Sequence, residues 1–280
     1  MAVGFYGDPH GRFTIARVLH WDGTSWAPYR APTGGSYAEL YSVSADSATD
    51  VWAGGRWTDD QGYFHPLSLH FDGTRWQQVP TATPTGGDLF RSVYAIAPDD
   101  VWAVGDQMNV LFHIQPLIEH WDGTAWTVVP APPLSGEDNS LYGVSGTSSE
   151  DVWAVGPMDN PQPPVALHWD GTQWSVVEAG GLPGRLVSFL DVVAISPGDA
   201  WVVGQSVKND LTDVQLAAEH WDGTTWTITK IKSPGPLAPT GPLRGVGATS
   251  STDVWAVGFS YDESFDSHPL AEHSSGPCRE

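Results

Sequence analysis

A single cysteine, Cys278, occurs in 280 residues, so no intramolecular disulfide can form and the fold cannot depend on an oxidising compartment. Positive charge is also scarce. Twelve lysines and arginines stand against 33 aspartates and glutamates, a formal net charge of −21. Neutralising phosphates takes Lys and Arg, which argues against nucleic-acid partners, and the same balance disfavours anionic membrane surfaces. No apolar run reaches transmembrane length, and no membrane partner is expected. The opening Met1-Ala2-Val3-Gly4-Phe5 lacks the charged start and long apolar stretch of a secretory signal. Taken literally this means a cytoplasmic protein; because the chain opens in mid-repeat, a segment preceding it would leave a secreted protein as the alternative, and the localisation stays open. Catalytic signatures are missing too: no nucleophile elbow, no HExxH, no phosphate loop and no cysteine nucleophile in the body of the fold.

What the chain has instead is tryptophan, fifteen of them, in a composition 40% hydrophobic and 11% aromatic. That is enough for a substantial core. Fourteen of the fifteen fall in two interleaved motifs. His-Trp-Asp-Gly-Thr-x-Trp starts at His20, His120, His168 and His220, and at His70 with Phe71 for the first tryptophan. Asp-(Val/Ala)-Trp-(Ala/Val)-x-Gly starts at Asp50, Asp100, Asp151, Asp199 and Asp253. Successive copies lie 48 to 54 residues apart, a period that marks repeat architectures.

Each repeat reads as four short strands. The first alternates apolar residues, as in Leu40–Ala45 and Leu141–Gly146. The second is the Val-Trp-Ala-Val-Gly segment, the third runs into His-Trp, and the fourth starts at the second tryptophan. Asp-Gly-Thr between the third and fourth is a hairpin turn. Four-strand units at this pitch predict an all-β protein, a single β-propeller of four-stranded antiparallel blades. Second and third strands have six copies, first and fourth strands five. Six blades with incomplete terminal ones are preferred, since they give every apolar hairpin a neighbour; five is the alternative. The propeller domain is expected over residues 1–273, with a loose tail at 274–280.

The Asp-Gly-Thr-x-Trp turn resembles the Asp-box (BNR-type) repeats of sialidase-like propellers. Leu-x-His-Trp-Asp-Gly-Thr-x-Trp is similar to blades of bacterial and fungal propeller lectins. The paired motifs most resemble Trp-rich repeat arrays of bacterial proteins. The likeness covers nearly the whole chain and is one of scaffold. Those families hold both binders and enzymes, so it transfers no activity. Sialidase-type sites use three arginines, a tyrosine and a pair of acids, whereas two arginines can be placed here and no Arg-Ile-Pro motif exists.

The aligned histidines invite a metal, but third-strand sites on neighbouring blades are about 15–20 Å apart, while zinc needs ligands within about 2 Å. They are read as hydrogen-bonded to a repeated Asp or a Ser. No metal and no cofactor are expected, including at the off-repeat His10, His65, His113 and His268. The Asp-Gly-Thr aspartates are read as turn-formers and the repeat tryptophans as inter-blade packing. Trp57, next to Arg56, is the one outside the repeat.

Strand direction alternates, so the 1–2 and 3–4 turns share one face and the 2–3 and 4–1 loops the other. The 2–3 loops, spanning 5–15, 56–66, 106–116, 157–164, 205–215 and 259–269, differ in every blade. A scaffold that repeats on one face and varies on the other points to function on the varying one. Position two of the first strand reads Tyr41, Arg91, Tyr142, Asp191 and Arg244, beside an apolar position read as Val43, Val93, Val144, Val193 and Val246. If the first strand is innermost, as the Asp-box resemblance implies, those five polar residues surround the mouth of a central channel. With Arg56 and Trp57 they form the expected ligand site. A non-catalytic binding module for a small polar ligand, glycan or protein segment is the first hypothesis. The alternative is a hydrolase, lyase or cyclase using Tyr41, Tyr142 and Asp191 for proton transfer, with Arg91 and Arg244 holding an anion. A scaffold using its rims is a third.

Overall fold

Every Asp-Gly-Thr segment closes a hairpin, and the cause is local. The computed structural model describes the chain except residues 8–12, 34–36, 83–86, 158–163, 211, 212, 230, 232–239, 263, 265 and 275–280. In it the turn carboxylate accepts the backbone N–H groups two and three residues on, as Asp122 does from Thr124 at 2.8 Å and Ala125 at 2.9 Å. Gly123 follows at φ 90°, a conformation a side chain would resist. The same pair of bonds recurs at Asp22, Asp72, Asp170 and Asp222. The Thr hydroxyl first, then the two N–H groups, hold Asp122, Asp170 and Asp222 down at about 2.

The chain separates into two compact units, Met1–Ala131 and Pro132–Glu280. The first opens with β1 (Ala2–Gly7), β2 (Thr14–Trp21) and β3 (Trp26–Tyr29). A single parallel bridge, Thr14 to Tyr37, links them to the next sheet. That sheet comprises β4 (Tyr37–Ser47), β5 (Asp50–Thr58), β6 (Phe64–Phe71) and β7 (Trp76–Val79). β8 (Leu89–Ala97), β9 (Asp100–Met108), β10 (Ile114–Trp121) and β11 (Trp126–Val128) form the third sheet.

The second unit starts with β12 (Gly143–Ser148), β13 (Asp151–Gly156), β14 (Val165–Trp169) and β15 (Trp174–Val176). Then come β16 (Arg185–Ser196), β17 (Asp199–Lys208), β18 (Val214–Trp221) and β19 (Trp226–Thr229). It closes with β20 (Thr240–Ser250), β21 (Asp253–Tyr261) and β22 (Ser267–Ser274). Apart from the Thr14 bridge, strands pair antiparallel in chain order, and no helix occurs among the described residues. Four sheets are complete four-stranded blades. Among the described residues, the first sheet has the repeat's second, third and fourth strands and the last sheet its first, second and third. Ser274, assigned by sequence to the tail, is the last residue of β22; residues 275–280 lie outside those described.

Repeat residues form two kinds of contact. Within a sheet, the motif histidine bonds the motif aspartate and lies on the motif tryptophan. His168 Nε2 is 2.7 Å from Asp151 Oδ1, with its ring 4.5 Å from Trp153. His70, His120, His220 and His273 repeat this with Asp50, Asp100, Asp199 and Asp253. Between sheets of one unit, Trp52 meets the edge of Trp126 at 5.4 Å, and Trp153 that of Trp226 at 5.0 Å. All four indoles are buried, in the offset and edge-on geometries that ring quadrupoles favour.

First strands of successive sheets within a unit are clasped by side-chain acceptors. Ser42 and Ser44 accept the N–H groups of Val93 and Ala95 at 3.1 and 3.0 Å, and Ser145 that of Ala194 at 3.0 Å. Ser145→Ala strands the Ala194 N–H in a half-buried position and should cost about 1–2 kcal/mol, read as a lower urea midpoint with an unchanged slope.

Candidate functional site

The last glycine of each Asp-Val-Trp-Ala-x-Gly segment has a first-strand carbonyl where a side chain would go. A Cβ would lie 1.9 Å from the Glu39 oxygen at Gly55, 2.0 Å from that of Leu89 at Gly105 and 1.8 Å from that of Ser140 at Gly156. At Gly204 and Gly258 the distances are 1.9 Å to Ser188 and 2.3 Å to Pro242. The first strand thus sinks onto the glycine and bulges one residue later. Leu40 pairs Gly55 and Ser42 pairs Gly54, leaving Tyr41 outside the ladder. Arg91 and Arg244 are left out in the same way. Tyr142 shares Val155 with Gly143, donating its N–H to the Val155 carbonyl at 2.7 Å. A bulge residue is free to be aimed away from the pleat.

Asp191 does not hold this place. In β16 the unpaired residue is Leu190; Asp191 pairs Val203, and Val192, not Val193, takes the position of Val43. Two adjacent valines let the alternation be read in either phase. The spacing to the motif aspartate discriminates: Tyr41, Arg91, Tyr142 and Arg244 each precede it by nine residues, and nine before Asp199 is Leu190. Asp191 is the counterpart of Ser42 and acts as a clasp, accepting the Val246 N–H at 2.9 Å. Burial pushes its carboxyl up to about 6, against the opposing N–H bonds of Val246 and Val192.

In the first unit the structure brings together more than the sequence suggested. Tyr41 donates its hydroxyl to Glu39, which also takes Arg56 at 2.8 Å. Arg91 reaches Asp106 through two nitrogens at 2.9 and 2.6 Å. The phenol of Tyr41 lies within the field of both guanidiniums, but burial first and the Glu39 bond second push its pKa well above the ordinary value. It therefore stays a neutral donor. Aromatic faces flank the group, with Phe5 edge-on to Tyr41 at 6.4 Å and Arg56 over Phe64 at 4.2 Å. Asp106 Oδ1 is buried with no hydrogen-bond partner among the described residues.

Trp57 is not part of this group. As the residue after Arg56 on β5 it faces the other side of the sheet, stacked on His65 at 4.6 Å. With Pro66, Gln78, Val79 and Pro80 the pair lines a shallow pocket of 450 Å³. In the second unit, Arg244 lies over the Phe259 ring at 5.5 Å.

Sequence reasoning missed Glu39 and Asp106 and the rule behind them. The residue after the motif glycine, Arg56, Asp106 or Phe259, meets the bulge residue directly or through Glu39, and its fixed offset was the available signal. The varying 2–3 loops also share a frame. Asp59, Asn109 and Asp262 each accept two backbone N–H groups from within their loops. Gly62 at φ 88° and Phe112 at φ 65° occupy one position of that turn, so different side chains ride on one backbone. Among the off-repeat histidines, His65 and His268 bond Asp59 and Asp262 at 3.0 and 2.9 Å; His10 lies outside the described residues.

No protein-family model matches the chain, and no curated protein matches it. Similar solved structures exist. A crystal structure of a protein of unknown function from Dyadobacter fermentans shares 12% identity over 95% of this chain and 84% of that one, with a TM-score of 0.58. A protein from Lactobacillus plantarum shares 10% over 98% and 81%, with a TM-score of 0.51. These likenesses show the fold alone, an all-β protein of β-propeller type. A looser match, described as YCF48 bound to D1 peptide, has a TM-score of 0.45 at 15% identity over 88% and 85%, too low to carry anything over.

Proposed function

We propose that the chain is a non-catalytic binding module. Its site in the first unit is the group around Tyr41, Arg56 and Arg91, and its ligand is an uncharged polar one, a glycan or an extended peptide segment. The observation behind this is charge matching: Glu39 holds Arg56 and Asp106 holds Arg91. Paired guanidiniums offer little net attraction to an anion, yet they keep donor and acceptor atoms in fixed geometry. The flanking rings of Phe5, Tyr41 and Phe64 suit the apolar face of a sugar or the edge of a peptide. Tyr63 and Phe112 stand exposed on the 2–3 loops of the same unit, as a shallow recognition surface would have them. In the second unit Tyr142 and Arg244 occupy the matching bulge positions, and six blades, counting the incomplete terminal sheets, is the reading of the whole that fits the strand counts.

The enzyme alternative draws less support. Tyr41 is held as a neutral donor, and Asp191 spends its carboxylate on the Val246 backbone.

A glycan array, with thermal shift against soluble glycans and extended peptides, finds the ligand class. Tyr41→Phe and Arg91→Lys should then each weaken binding about tenfold or more, the cost of a buried polar contact, while the melting temperature moves little, since lysine keeps a cation beside the buried Asp106 carboxylate. Affinity should hardly change between 50 and 500 mM salt. A phosphate- or carboxylate-bearing ligand whose affinity falls steeply with salt would sink the proposal, as would full binding by both variants.

A further inference from the structure

Among the described residues, the three most exposed large apolar side chains are consecutive. Val110, Leu111 and Phe112 stand 94%, 71% and 81% open at the tip of the loop between β9 and β10. The backbone beneath them is tied to itself. Asn109 accepts the N–H groups of Leu111 and His113 through its side chain at 2.9 and 3.0 Å. Its carbonyl accepts that of Phe112 at 3.0 Å, and its own N–H goes to the His113 carbonyl. The loop between β5 and β6 has the same frame, with Asp59 receiving Gln61, Gly62 and Tyr63, yet its tip reads Asp60-Gln61-Gly62. Where that tip uses glycine at φ 88°, this one holds Phe112 at φ 65°, a conformation that bulky side chains resist. An exposed ring adds nothing to folding and the left-handed backbone has a cost, so the placement of Phe112 argues for an outside partner.

We infer that this tip inserts into the interfacial region of an uncharged lipid bilayer. Two observations favour lipid over a pocket in another protein. From Gln107 to Ile118 the sequence carries no Asp, Glu, Lys or Arg, and the flanking charges, Asp106 and Glu119, are buried. The N–H groups of Asn109, Leu111, Phe112 and His113 are satisfied inside the loop. Hydrocarbon demands both, because it can neither solvate a charge nor bond a backbone group. A protein interface typically makes one hydrogen bond for every ~100–200 Å², and an apolar knob with its amides already spent is poorly matched to that. Residues at the base of the tip extend the apolar surface. Met108 and Ile114 are exposed and paired across β9 and β10. Phe64 is joined to them through Gly87, which donates its N–H to the Phe64 carbonyl at 2.8 Å and lies against Met108. Tyr63, exposed beside Phe64, is the kind of ring that settles at headgroup level. The net charge of −21 repels anionic lipid and leaves a zwitterionic surface unaffected. The tip is separate from the Tyr41 group, and the inference stands or falls without it.

The test sediments the full chain with phosphatidylcholine vesicles. Half-binding is expected at about 0.1–1 mM accessible lipid, the scale of one myristoyl chain at about 10⁴ M⁻¹, and it should hold from 50 to 500 mM salt. Leu111→Ser and Phe112→Gly should each weaken it about tenfold or more, as for one apolar side chain left in water. Phe112→Gly should melt no lower than the parent, because glycine relaxes the left-handed backbone, so its loss of binding cannot come from unfolding. Val176→Ser removes an exposed apolar side chain from β15 and should change nothing. No sedimentation overturns the inference and leaves a protein receptor as the partner of the tip. So does full binding by both loop variants, or binding that requires phosphatidylserine. A dimer, seen by light scattering, that the same substitutions dissolve and vesicles do not would overturn it as well.

Discussion

Gly105→Ala should remove about 4 kcal/mol or more of stability, a large share of the ~5–15 kcal/mol a domain typically has. The added methyl would sit 2.0 Å from the Leu89 carbonyl oxygen and 3.0 Å from the Arg91 nitrogen. Both are backbone atoms, so no rotamer change relieves the clash, and β8 must leave β9 or shift its register. A shift would carry Phe90 and Val93 out of the cluster they share with Trp52 and Trp126. Gly247→Ala is the matched control: a Cβ there meets nothing within 4 Å, and removing a strand glycine tends to help by about 0.5–1 kcal/mol. Urea unfolding of the two variants should show a collapse for the first and an unchanged or higher midpoint for the second. Equal midpoints would mean that the bulge is not held by the glycine.

Asp191→Asn should stabilise the protein at neutral pH and do almost nothing near pH 4. The carboxyl has its folded pKa raised to about 6, above the unfolded value near 3.9. Between those two values the folded state holds a proton that the unfolded state has released, so stability falls as pH rises through the window. The loss is complete above pH 6 and amounts to about 3 kcal/mol at most, for two units at 1.36 kcal/mol each. Asparagine keeps an oxygen for the Val246 N–H and carries no charge, so its advantage should grow from near zero at pH 4 to most of that figure at pH 7.5. Asp191→Ser, which installs the residue that β4 uses as a clasp at position 42, should show the same pH trend. A variant-minus-wild-type difference independent of pH would exclude burial of an ionised carboxylate as its source.

What could be read from the residues was whatever acts locally or repeats. The Asp-Gly-Thr turns bond their own backbone, so their chemistry is complete within four residues. Spacing points the histidines to structural partners rather than a shared metal, and the Asp50-type partner follows from the strand 2–3 register. The bulge could not be read, because alternation of side chains carries no mark of a residue left out of the ladder. That blind spot moved Asp191 into a set where Leu190 belongs. It also hid the partners of the arginines: Glu39 and Asp106 become visible only once Arg56 and Arg91 have been placed across from them. Adjacency in the chain joins Trp57 to Arg56, whereas neighbours on a strand face opposite ways.

The glycine-seated bulge divides labour within a single strand. Ladder residues on either side hold the sheet, while the side chain between them stands outside the alternation of the pleat. Tyrosine, arginine and leucine already occupy that slot in one chain without altering the pairing around it. The fold therefore carries a position where novelty is structurally inexpensive, next to a glycine where it is forbidden. Side chains at that slot can change from one type to another while the framework around them stays constant.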